Sequence, residues 1–217
     1  MIRLPNRTSA GARKRLTASD RRELIARAAT ELFGRRGYNG ASVEEIARNA
    51  GVTPPVVYDH FASKHHLFSE LVEHHYAALR AIWSEYMGLD LSLEERISTA
   101  IDAWFAYIEE HPFVAGLLFR EPPNDPAART THRAIRGRSR RKVLPLVGEE
   151  AAAHDLPFAD LDAELTWETM RAVLQGLALW WNEHLEVPRA RIVSAAMDAL
   201  WLGFERVLNG ERWKNPH

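Results

Sequence analysis

The apolar residues of this chain recur every three or four positions along most of its length, a spacing typical of amphipathic α-helices. The first such segment is predicted to begin at Ser19 or Asp20 and to end at Gly37. Its core-facing stripe consists of Leu24, Ile25, Ala28, Ala29, Leu32 and Phe33. No segment shows the alternation of apolar and polar residues that indicates a half-buried strand. The pattern therefore predicts an all-α protein.

Residues 42–64 predict two short helices joined by a tight turn. Ser42 and Glu45 have the spacing of a capping box, in which each side chain accepts a hydrogen bond from the other residue's backbone N–H. Gly51 stands where a helix ends in the left-handed conformation, and Thr53 followed by Pro54 is typical of a helix start. Two helices with such a turn form a helix-turn-helix unit, whose second helix enters the major groove of DNA.

A long helix is predicted from about residue 64 to about residue 88, because a single apolar stripe continues from Leu67 to Tyr86. Five further helices are predicted at about 92–111, 113–120, 127–147, 161–185 and 188–209. Together with the three N-terminal helices they make an all-α fold of about nine or ten helices.

Composition narrows the classes of protein to consider. Of the 217 residues, 46% are hydrophobic and 26% are charged, as in ordinary globular proteins. There is no cysteine, which excludes disulfides, cysteine-based zinc sites and a cysteine nucleophile. No apolar run is long enough to span a membrane, and no apolar core follows the basic N-terminus as in a signal peptide. We therefore expect a cytoplasmic protein without a membrane partner.

The net charge of −1 conceals an asymmetry between the two parts of the chain. Residues 1–64 contain 12 basic and 6 acidic residues, whereas residues 65–217 contain 16 basic and 23 acidic residues. A basic N-terminal part on an acidic body indicates that the N-terminal part meets a polyanion such as DNA. Chance asymmetry between two domains is the alternative.

The N-terminal part resembles the DNA-binding domain of the tetracycline-repressor (TetR) family of bacterial regulators. The resemblance covers residues 20–68 without gaps. The matching residues are Ala28, Ala29, Leu32, Phe33, Gly37, Tyr38, Ser42, Val43, Ile46, Ala47, Ala50, Gly51, Val52, Tyr58, His60, Phe61, Ser63, Lys64 and Leu67. Beyond them, the chain matches the family in helical character and length.

The resemblance implies a division into domains. Residues 1–18 are expected to be a flexible basic arm, and residues 19–64 a three-helix helix-turn-helix domain that binds DNA. Residues 65–210 are expected to be a helical domain for effector binding and dimerisation, in which the helix over 65–88 links the two domains. Residues 211–217 are a short tail.

For DNA binding, the polar and apolar residues around the third helix predict different contacts. Thr53 is expected to hydrogen-bond a base or a phosphate, while Pro55 and Val56 are expected to contact thymine methyl groups. Tyr58 and Lys64 match phosphate-contacting positions of the family, although a core tyrosine and a solvated lysine are the alternatives. The full predicted set is Ser42, Arg48, Thr53, Pro54, Pro55, Val56, Tyr58, His60 and Lys64.

The helical body is rich in aromatic residues, and the resemblance implies a cavity for a small effector. The predicted lining residues are Trp83, Trp104, Phe105, Ile108, Phe113, Leu117, Trp167, Met170, Leu174 and Gln175. An ordinary packed core is the alternative for each of them. Few polar groups fall on the inward stripes, so the sequence favours an uncharged, hydrophobic or aromatic effector. The basic run 136–142 is interpreted as an exposed helix face paired with acidic residues, with anion binding as the alternative.

The last two helices are expected to form a four-helix bundle with a second copy of the chain, as the resemblance implies and their small residues permit. The predicted interface residues are Leu177, Trp181, Ala196, Leu200 and Phe204.

No catalytic motif, cofactor or metal site is predicted from the sequence. The adjacent histidine pairs at 65–66 and 74–75 lack the i, i+4 spacing of ligands on one helix face. The predicted function is a homodimeric transcriptional regulator, most simply a repressor, that a small apolar effector releases from a palindromic operator. The alternatives are a ligand-binding protein that acts without operator release, as an orphan regulator or activator, and an all-α enzyme.

Overall fold

A computed structural model describes residues 17–122, 125–153 and 160–208 of the chain. The predicted basic arm, apart from its last two residues, and the predicted C-terminal tail lie outside this part. The described residues form nine α-helices and no strand, which confirms the predicted all-α class. The helices are α1 (Ala18–Gly40), α2 (Val43–Ala50), α3 (Pro54–His60), α4 (Lys64–Met87), α5 (Leu93–Glu110), α6 (Val114–Phe119), α7 (Pro126–Ala153), α8 (Asp160–Trp181) and α9 (Arg189–Leu208). None of these described helices is long and apolar enough to cross a lipid bilayer.

Helix α1 begins at Ala18, one residue earlier than Ser19. Thr17, rather than Ser19 or Asp20, is its N-cap: the Thr17 hydroxyl accepts from the Asp20 N–H at 3.1 Å, and the Thr17 N–H donates to the Asp20 carboxylate at 2.8 Å. The predicted break at Gly37 is present, because this residue has φ 72° and ψ 174° inside the segment. Only glycine adopts such a conformation without a steric penalty.

The helix-turn-helix unit has the predicted local structure. The Ser42 hydroxyl accepts from the Glu45 N–H at 3.2 Å, and the Glu45 carboxylate accepts from the Ser42 N–H at 3.2 Å, which confirms the capping box. Gly51 closes α2 with φ 69° and ψ 28°, and its N–H bonds back to Arg48. The three N-terminal helices and the start of α4 share one core, whose largest members are Ile25, Phe33, Ile46, Phe61, Leu67 and Phe68.

Helix α4 belongs to both domains. Its 24 residues span about 36 Å at 1.5 Å per residue. Leu67 and Phe68 are buried in the DNA-binding domain, whereas Leu79 and Trp83 are buried in the body. The predicted linking helix is therefore one continuous element.

The body helices α5 to α9 differ from the prediction mainly at their ends. Helix α7 continues to Ala153, whereas the sequence predicted its end near residue 147. Pro145 lies in the interior of this helix. Helix α8 ends at Trp181 rather than near residue 185, and the Trp181 indole N–H donates to the Val187 carbonyl at 2.8 Å. This bond fixes the turn between α8 and α9.

The DNA-binding domain and the body meet in a close contact between α1 and α6. A Cβ atom on Gly116 of α6 would overlap the carbonyl oxygen of Gly34, and a Cβ atom on Gly34 would overlap the carbonyl oxygen of Phe113. The two backbones can approach this closely only because both residues are glycine. The Arg35 guanidinium, one residue further along α1, lies 4.8 Å from the centre of the Phe113 ring. Sequence periodicity did not identify this junction.

A buried histidine joins α4 to α5. His75 lies 2.6 Å from the Tyr107 hydroxyl, and His74 and His111 are its titratable ring neighbours. Burial, with smaller effects of His74 and His111, lowers the pKa of His75 to about 3. Burial, with a smaller effect of Glu110, raises the pKa of Tyr107 to about 12. Both groups are therefore neutral in the folded protein near pH 7.

Gly116→Ala is expected to lower the free energy of unfolding by about 1 to 3 kcal/mol, because the new methyl group meets backbone that cannot rotate away. Thermal unfolding followed by circular dichroism measures the effect. Gly88→Ala is the matched control, since a Cβ there meets its neighbours at an ordinary 3.5 Å. Equal melting temperatures for the two variants would contradict the close contact of α1 and α6.

The His75 environment predicts an acid-sensitive fold. The unfolded chain binds a proton at this residue near pH 6.5, whereas the folded chain does so only near pH 3. The stability contributed by neutral His75 is therefore present above pH 6.5 and is lost as the pH falls, by up to about 1.4 kcal/mol per pH unit. Urea unfolding between pH 7 and pH 4 is expected to show a shallower pH dependence for His75→Gln than for wild type. The exposed neighbour variant His74→Gln should keep the wild-type slope, and an unchanged slope in His75→Gln would refute the assignment.

Candidate nucleic-acid interface and ligand cavity

Helix α3 presents its first turn and one tyrosine to solvent. Thr53 caps the helix without a side-chain hydrogen bond to the backbone, so its exposed hydroxyl is available to another partner. Pro55 is exposed, and Tyr58 is 52% exposed rather than part of the core. Val57 instead packs into the core and holds α3 against α1 and α2. This arrangement is that of a reading helix, with a buried side that positions it and an exposed side that can enter a groove.

The other predicted contacts of α3 are less open. Pro54 and Val56 are half-buried, and Val56 packs partly against the core. His60 is also half-buried, and its carbonyl oxygen accepts from the Arg22 guanidinium at 2.8 Å. Arg22 also pairs with Glu70 and lies over the Phe61 ring, so it ties the end of α3 to α1 and α4.

Of the two residues at α2 that were predicted to bind DNA, Ser42 has a structural role and Arg48 is exposed. The Ser42 hydroxyl is engaged in the capping box and is half-buried, so its main role is to start α2. Arg48 is exposed near the end of α2, beside the turn that leads into α3.

Lys64 stands at the first position of α4. Its ammonium group lies 4.3 Å from the centre of the Tyr38 ring, in a cation–π contact. Burial lowers the pKa of Lys64, and the nearby Asp125 carboxylate opposes this shift. Lys64 thus interacts with α1 and with the segment that leads into α7, in addition to its predicted contact with DNA.

A cavity of about 240 Å³ lies in the body between α4, α5, α6, α7 and α8. Six of the predicted ligand-binding residues line it: Trp83, Trp104, Trp167, Met170, Leu174 and Gln175. The other four do not. Phe105, Ile108 and Leu117 are buried in the packed core outside the lining, and Phe113 lies at the junction with α1.

The cavity also contains a set of charged residues that the apolar pattern did not predict. Its lining includes the five arginines Arg80, Arg133, Arg136, Arg140 and Arg171. The expectation that few polar groups face the interior is therefore wrong. The basic run of α7 was interpreted as an exposed face, but a helix that borders a cavity turns some of these residues inward. The basic run 136–142 signalled only Arg136 and Arg140, whereas Arg80, Arg133 and Arg171 lie outside it.

Most of these arginines form ion pairs at the rim of the cavity, as expected for the basic run. Arg133 donates to Glu121 at 2.9 Å, and Arg136 lies 3.4 Å from the same carboxylate. Arg140 pairs with Glu164 of α8. These pairs connect α7 to the end of α6 and to α8, so they close one side of the cavity.

Two further arginines belong to α4 and α8. Arg80 donates to the Ser139 hydroxyl at 2.6 Å and to Glu73 at 3.2 Å, and Glu73 also accepts from Arg138 at 2.7 Å. Arg171 donates to Glu168 and to Gln175, both at 2.8 Å. Arg80 is only 15% exposed and Arg171 only 26% exposed, so both charges are largely withdrawn from solvent.

Two of the predicted dimer residues are buried inside the subunit. Trp181 packs against Phe105, and Ala196 is fully enclosed, so neither can face a second copy of the chain. Leu177 and Leu200 are half-buried, and the Phe204 side chain lies outside the described residues. The exposed stripes of α8 and α9 consist instead of Leu161, Leu165, Ala172, Gly176, Trp180, Ala195, Ala199, Leu202 and Gly203.

Within the described ranges, no three histidine or carboxylate side chains come together in a way that would hold a metal ion. The histidines at 65 and 66 serve other contacts: His65 bonds to Thr131 of α7 at 3.0 Å, and His66 pairs with Glu70.

Two curated transcriptional regulators are similar in sequence to part of this chain. The transcriptional activator FasR of Mycolicibacterium smegmatis is 35% identical over 105 residues, which are 48% of this chain and 48% of FasR. The transcriptional repressor NicS of Pseudomonas putida is 28% identical over 130 residues, which are 59% of this chain and 57% of NicS. The chain therefore spans about half the length of these curated relatives.

A solved structure shows the same fold over nearly its whole length. Bacillus subtilis FadR, in complex with stearoyl-CoA, has a TM-score of 0.69 at 17% identity, over 88% of this chain and 99% of FadR. Residues 25–71, from α1 to the second turn of α4, match the family model of bacterial regulatory proteins of the tetR family. These residues carry the helix-turn-helix described above, so the match to this family covers the DNA-binding domain of the chain.

Proposed function

We propose that this protein is a ligand-responsive, DNA-binding transcriptional regulator located in the cytoplasm. The observation that carries the proposal is the placement of α4, which starts beside the reading helix and ends at the wall of the body cavity. One rigid helix thus connects a DNA-binding surface to a ligand-binding space. Nothing in the geometry of the described residues calls for catalysis, so a regulator is favoured over an all-α enzyme.

The proposed DNA surface combines the predicted residues that are exposed. Thr53 and Pro55 face the bases, while Tyr58 and Arg48 face the phosphates on either side. Lys64 adds a phosphate contact if DNA displaces it from the Tyr38 ring. Most of these contacts are to the backbone, so we expect sequence preference to depend on methyl contacts and DNA shape as well as on hydrogen bonds.

The proposed active form is a homodimer on a palindromic operator. The exposed faces of α8 and α9 contain small residues that allow two helix pairs to approach closely. A twofold axis through this bundle places two copies of α3 on one side, and reading of successive major grooves requires them to be about 34–36 Å apart.

The proposed route of control runs through two elements. Helix α6 carries Phe119 in the cavity wall at one end and Gly116, in contact with Gly34 of α1, nearer the other. Helix α7 holds α4 at two levels, through Arg80 to Ser139 in the cavity and through His65 to Thr131 near the DNA-binding domain. A ligand that fits best when these helices are displaced shifts the population toward a dimer with the wrong spacing of α3.

Repression with release by the effector is the simplest form of this control. The relatives include an activator, FasR, as well as a repressor, NicS. The described geometry is suited to either activation or repression of transcription. A titration of the effector against operator-bound protein separates the two cases, because a repressor of this kind loses DNA affinity and an activator keeps or gains it.

Tyr58→Ala is expected to weaken operator binding about tenfold or more, because a hydrogen bond to a charged phosphate contributes about 1.5 to 3 kcal/mol. Fluorescence anisotropy with DNA from upstream of the protein's own gene measures this loss. Tyr58→Phe isolates the hydroxyl group, and an unchanged melting temperature in both variants shows that the exposed ring does not support the fold. Wild-type affinity should also fall steeply with salt. Wild-type affinity in Tyr58→Ala would remove this residue from the interface.

Gly176→Glu is expected to convert the dimer to a monomer without unfolding it. A side chain at this position meets nothing within 4 Å in its own subunit, but it would place a charge in the proposed bundle. Light scattering coupled to size-exclusion chromatography measures the mass. Ser84→Glu, on the exposed side of α4, is the control and should remain dimeric. A dimeric Gly176→Glu protein would move the interface away from this face of α8.

A further inference from the structure

We propose that the effector of this regulator is a small organic anion, with a carboxylate or phosphate head group and an apolar body. The inference rests on the proposed ligand-responsive function and replaces the uncharged effector that the sequence favoured. It follows from how charge, unpaired donors and aromatic surface are distributed around the cavity.

The cavity lining combines apolar and basic side chains. The rings of Trp104 and Phe119 stack with 5.7 Å between their centres and 11° between their planes, and Leu79, Trp83 and Leu174 also line the cavity. The arginines of α4, α7 and α8 line it as well. A ligand that contacts both kinds of residue is amphipathic, with its apolar body against the rings and its head toward the guanidinium groups.

The arginines are incompletely neutralised by their partners. Two glutamates each serve two arginines: Glu73 accepts from Arg80 and Arg138, and Glu121 pairs with Arg133 and Arg136. The other two pairs join Arg140 to Glu164 and Arg171 to Glu168. Five of the six arginines in these pairs line the cavity, against four glutamates, so the excess at the cavity is one positive charge. A partly buried excess of positive charge favours an anionic ligand.

Two N–H donors in the lining lack an acceptor. The Arg140 Nε–H and the Trp167 Nε1–H are buried and have no hydrogen-bond partner among the described residues. A buried donor without an acceptor costs about 1 to 3 kcal/mol, so a ligand oxygen that accepts from either one gains that energy. An uncharged hydrocarbon supplies no such acceptor, whereas the oxygens of a carboxylate or phosphate supply several.

The size of the cavity limits the ligand. Its volume of about 240 Å³ exceeds the roughly 150 Å³ of a cavity that holds benzene. It is smaller than the range of roughly 300 to 1,000 Å³ typical of drug-sized ligands. The body of the anion is therefore about one aromatic ring with a short side chain, or a short acyl chain.

The position of the head group suggests how binding is sensed. Arg80 belongs to α4, the arginines 133, 136 and 140 to α7, and Arg171 to α8. An anion among them competes with Ser139 and the glutamates that hold these helices in their present register. The same negative charge that gives affinity thus loosens the contact of α7 with α4.

Matched pairs of probes test the charge requirement. Thermal unfolding and isothermal titration calorimetry, in buffer free of phosphate and sulfate, compare 3-phenylpropanoate with 3-phenylpropanamide, hexanoate with hexanamide, and phenyl phosphate with phenol. At least one anion is expected to raise the melting temperature and to bind about tenfold or more tightly than its neutral partner. Carboxylate and phosphate pairs distinguish the two kinds of head group. Equal binding within every pair, or no binding of any anion at millimolar concentration, would overturn the proposal.

Variants locate the head group. Arg140→Gln and Arg171→Gln are expected to abolish the preference for the anion, and Arg133→Gln, at a side chain that is 57% exposed, provides a third variant that is tolerated by the fold. Arg141→Gln is the matched control, because Arg141 is exposed on α7, lies outside the cavity lining and belongs to none of these ion pairs. An anion preference that survives in all three lining variants would also overturn the proposal.

Operator binding is measured in parallel, so that a failure of the anionic-effector proposal can be distinguished from a failure of the proposed regulatory function. Operator release by a neutral probe alone would refute the anionic effector and support the regulator. An anion that binds with the expected preference but leaves operator affinity unchanged would support the cavity assignment and refute control by release.

Discussion

The contact of α1 with α6 is the constraint on which the rest of the structure depends. At Gly34 and Gly116 the two helices touch through backbone atoms, with no side chains between them to absorb a displacement. Closely packed interiors transmit strain rather than dissipate it. Helix α6 contacts α1 directly, and α1 supports both helices of the DNA-binding unit through its buried face. The two glycines thus join the DNA-binding domain to the body through their backbones.

Helix α4 makes a second connection of a different kind. It is covalently continuous, and its first turn holds Lys64 against Tyr38 while its later turns supply Tyr76, Arg80 and Trp83 to the cavity. Its contacts with α7 include hydrogen bonds and shared ion pairs in addition to buried apolar residues. Polar contacts at a partly solvated cavity can be exchanged for polar contacts with a ligand at little net cost in free energy. The packing contacts of an apolar core cannot be exchanged in this way. The cavity and the Arg80 link between α4 and α7 thus lie together, whereas the His65 link lies near the DNA-binding domain.

The chemistry of the cavity differs from what its aromatic content indicated. Six predicted residues do line it, because large apolar side chains on inward stripes meet wherever helices diverge. The arginines were missed because helical periodicity assigns charged residues to solvent. Long arginine side chains can pack their apolar stems along a cavity wall and still carry a charge, so periodicity alone does not place them. Helical periodicity also did not show that the aromatic ring of Phe113 contacts Arg35 of α1 rather than lining the cavity.

The sequence by itself determined the helix-turn-helix and its caps, because a capping box, a left-handed glycine and an N-terminal proline are local features that need no distant partner. It also determined the all-α class and the length of α4, which follow from one continuous apolar stripe. Only the tertiary structure decided that Gly34 meets Gly116, that Trp181 and Ala196 face the interior of the subunit, and that five arginines surround the cavity. These features depend on how far apart helices pack and on their rotation about their own axes, and neither quantity is encoded in the spacing of residues along one helix.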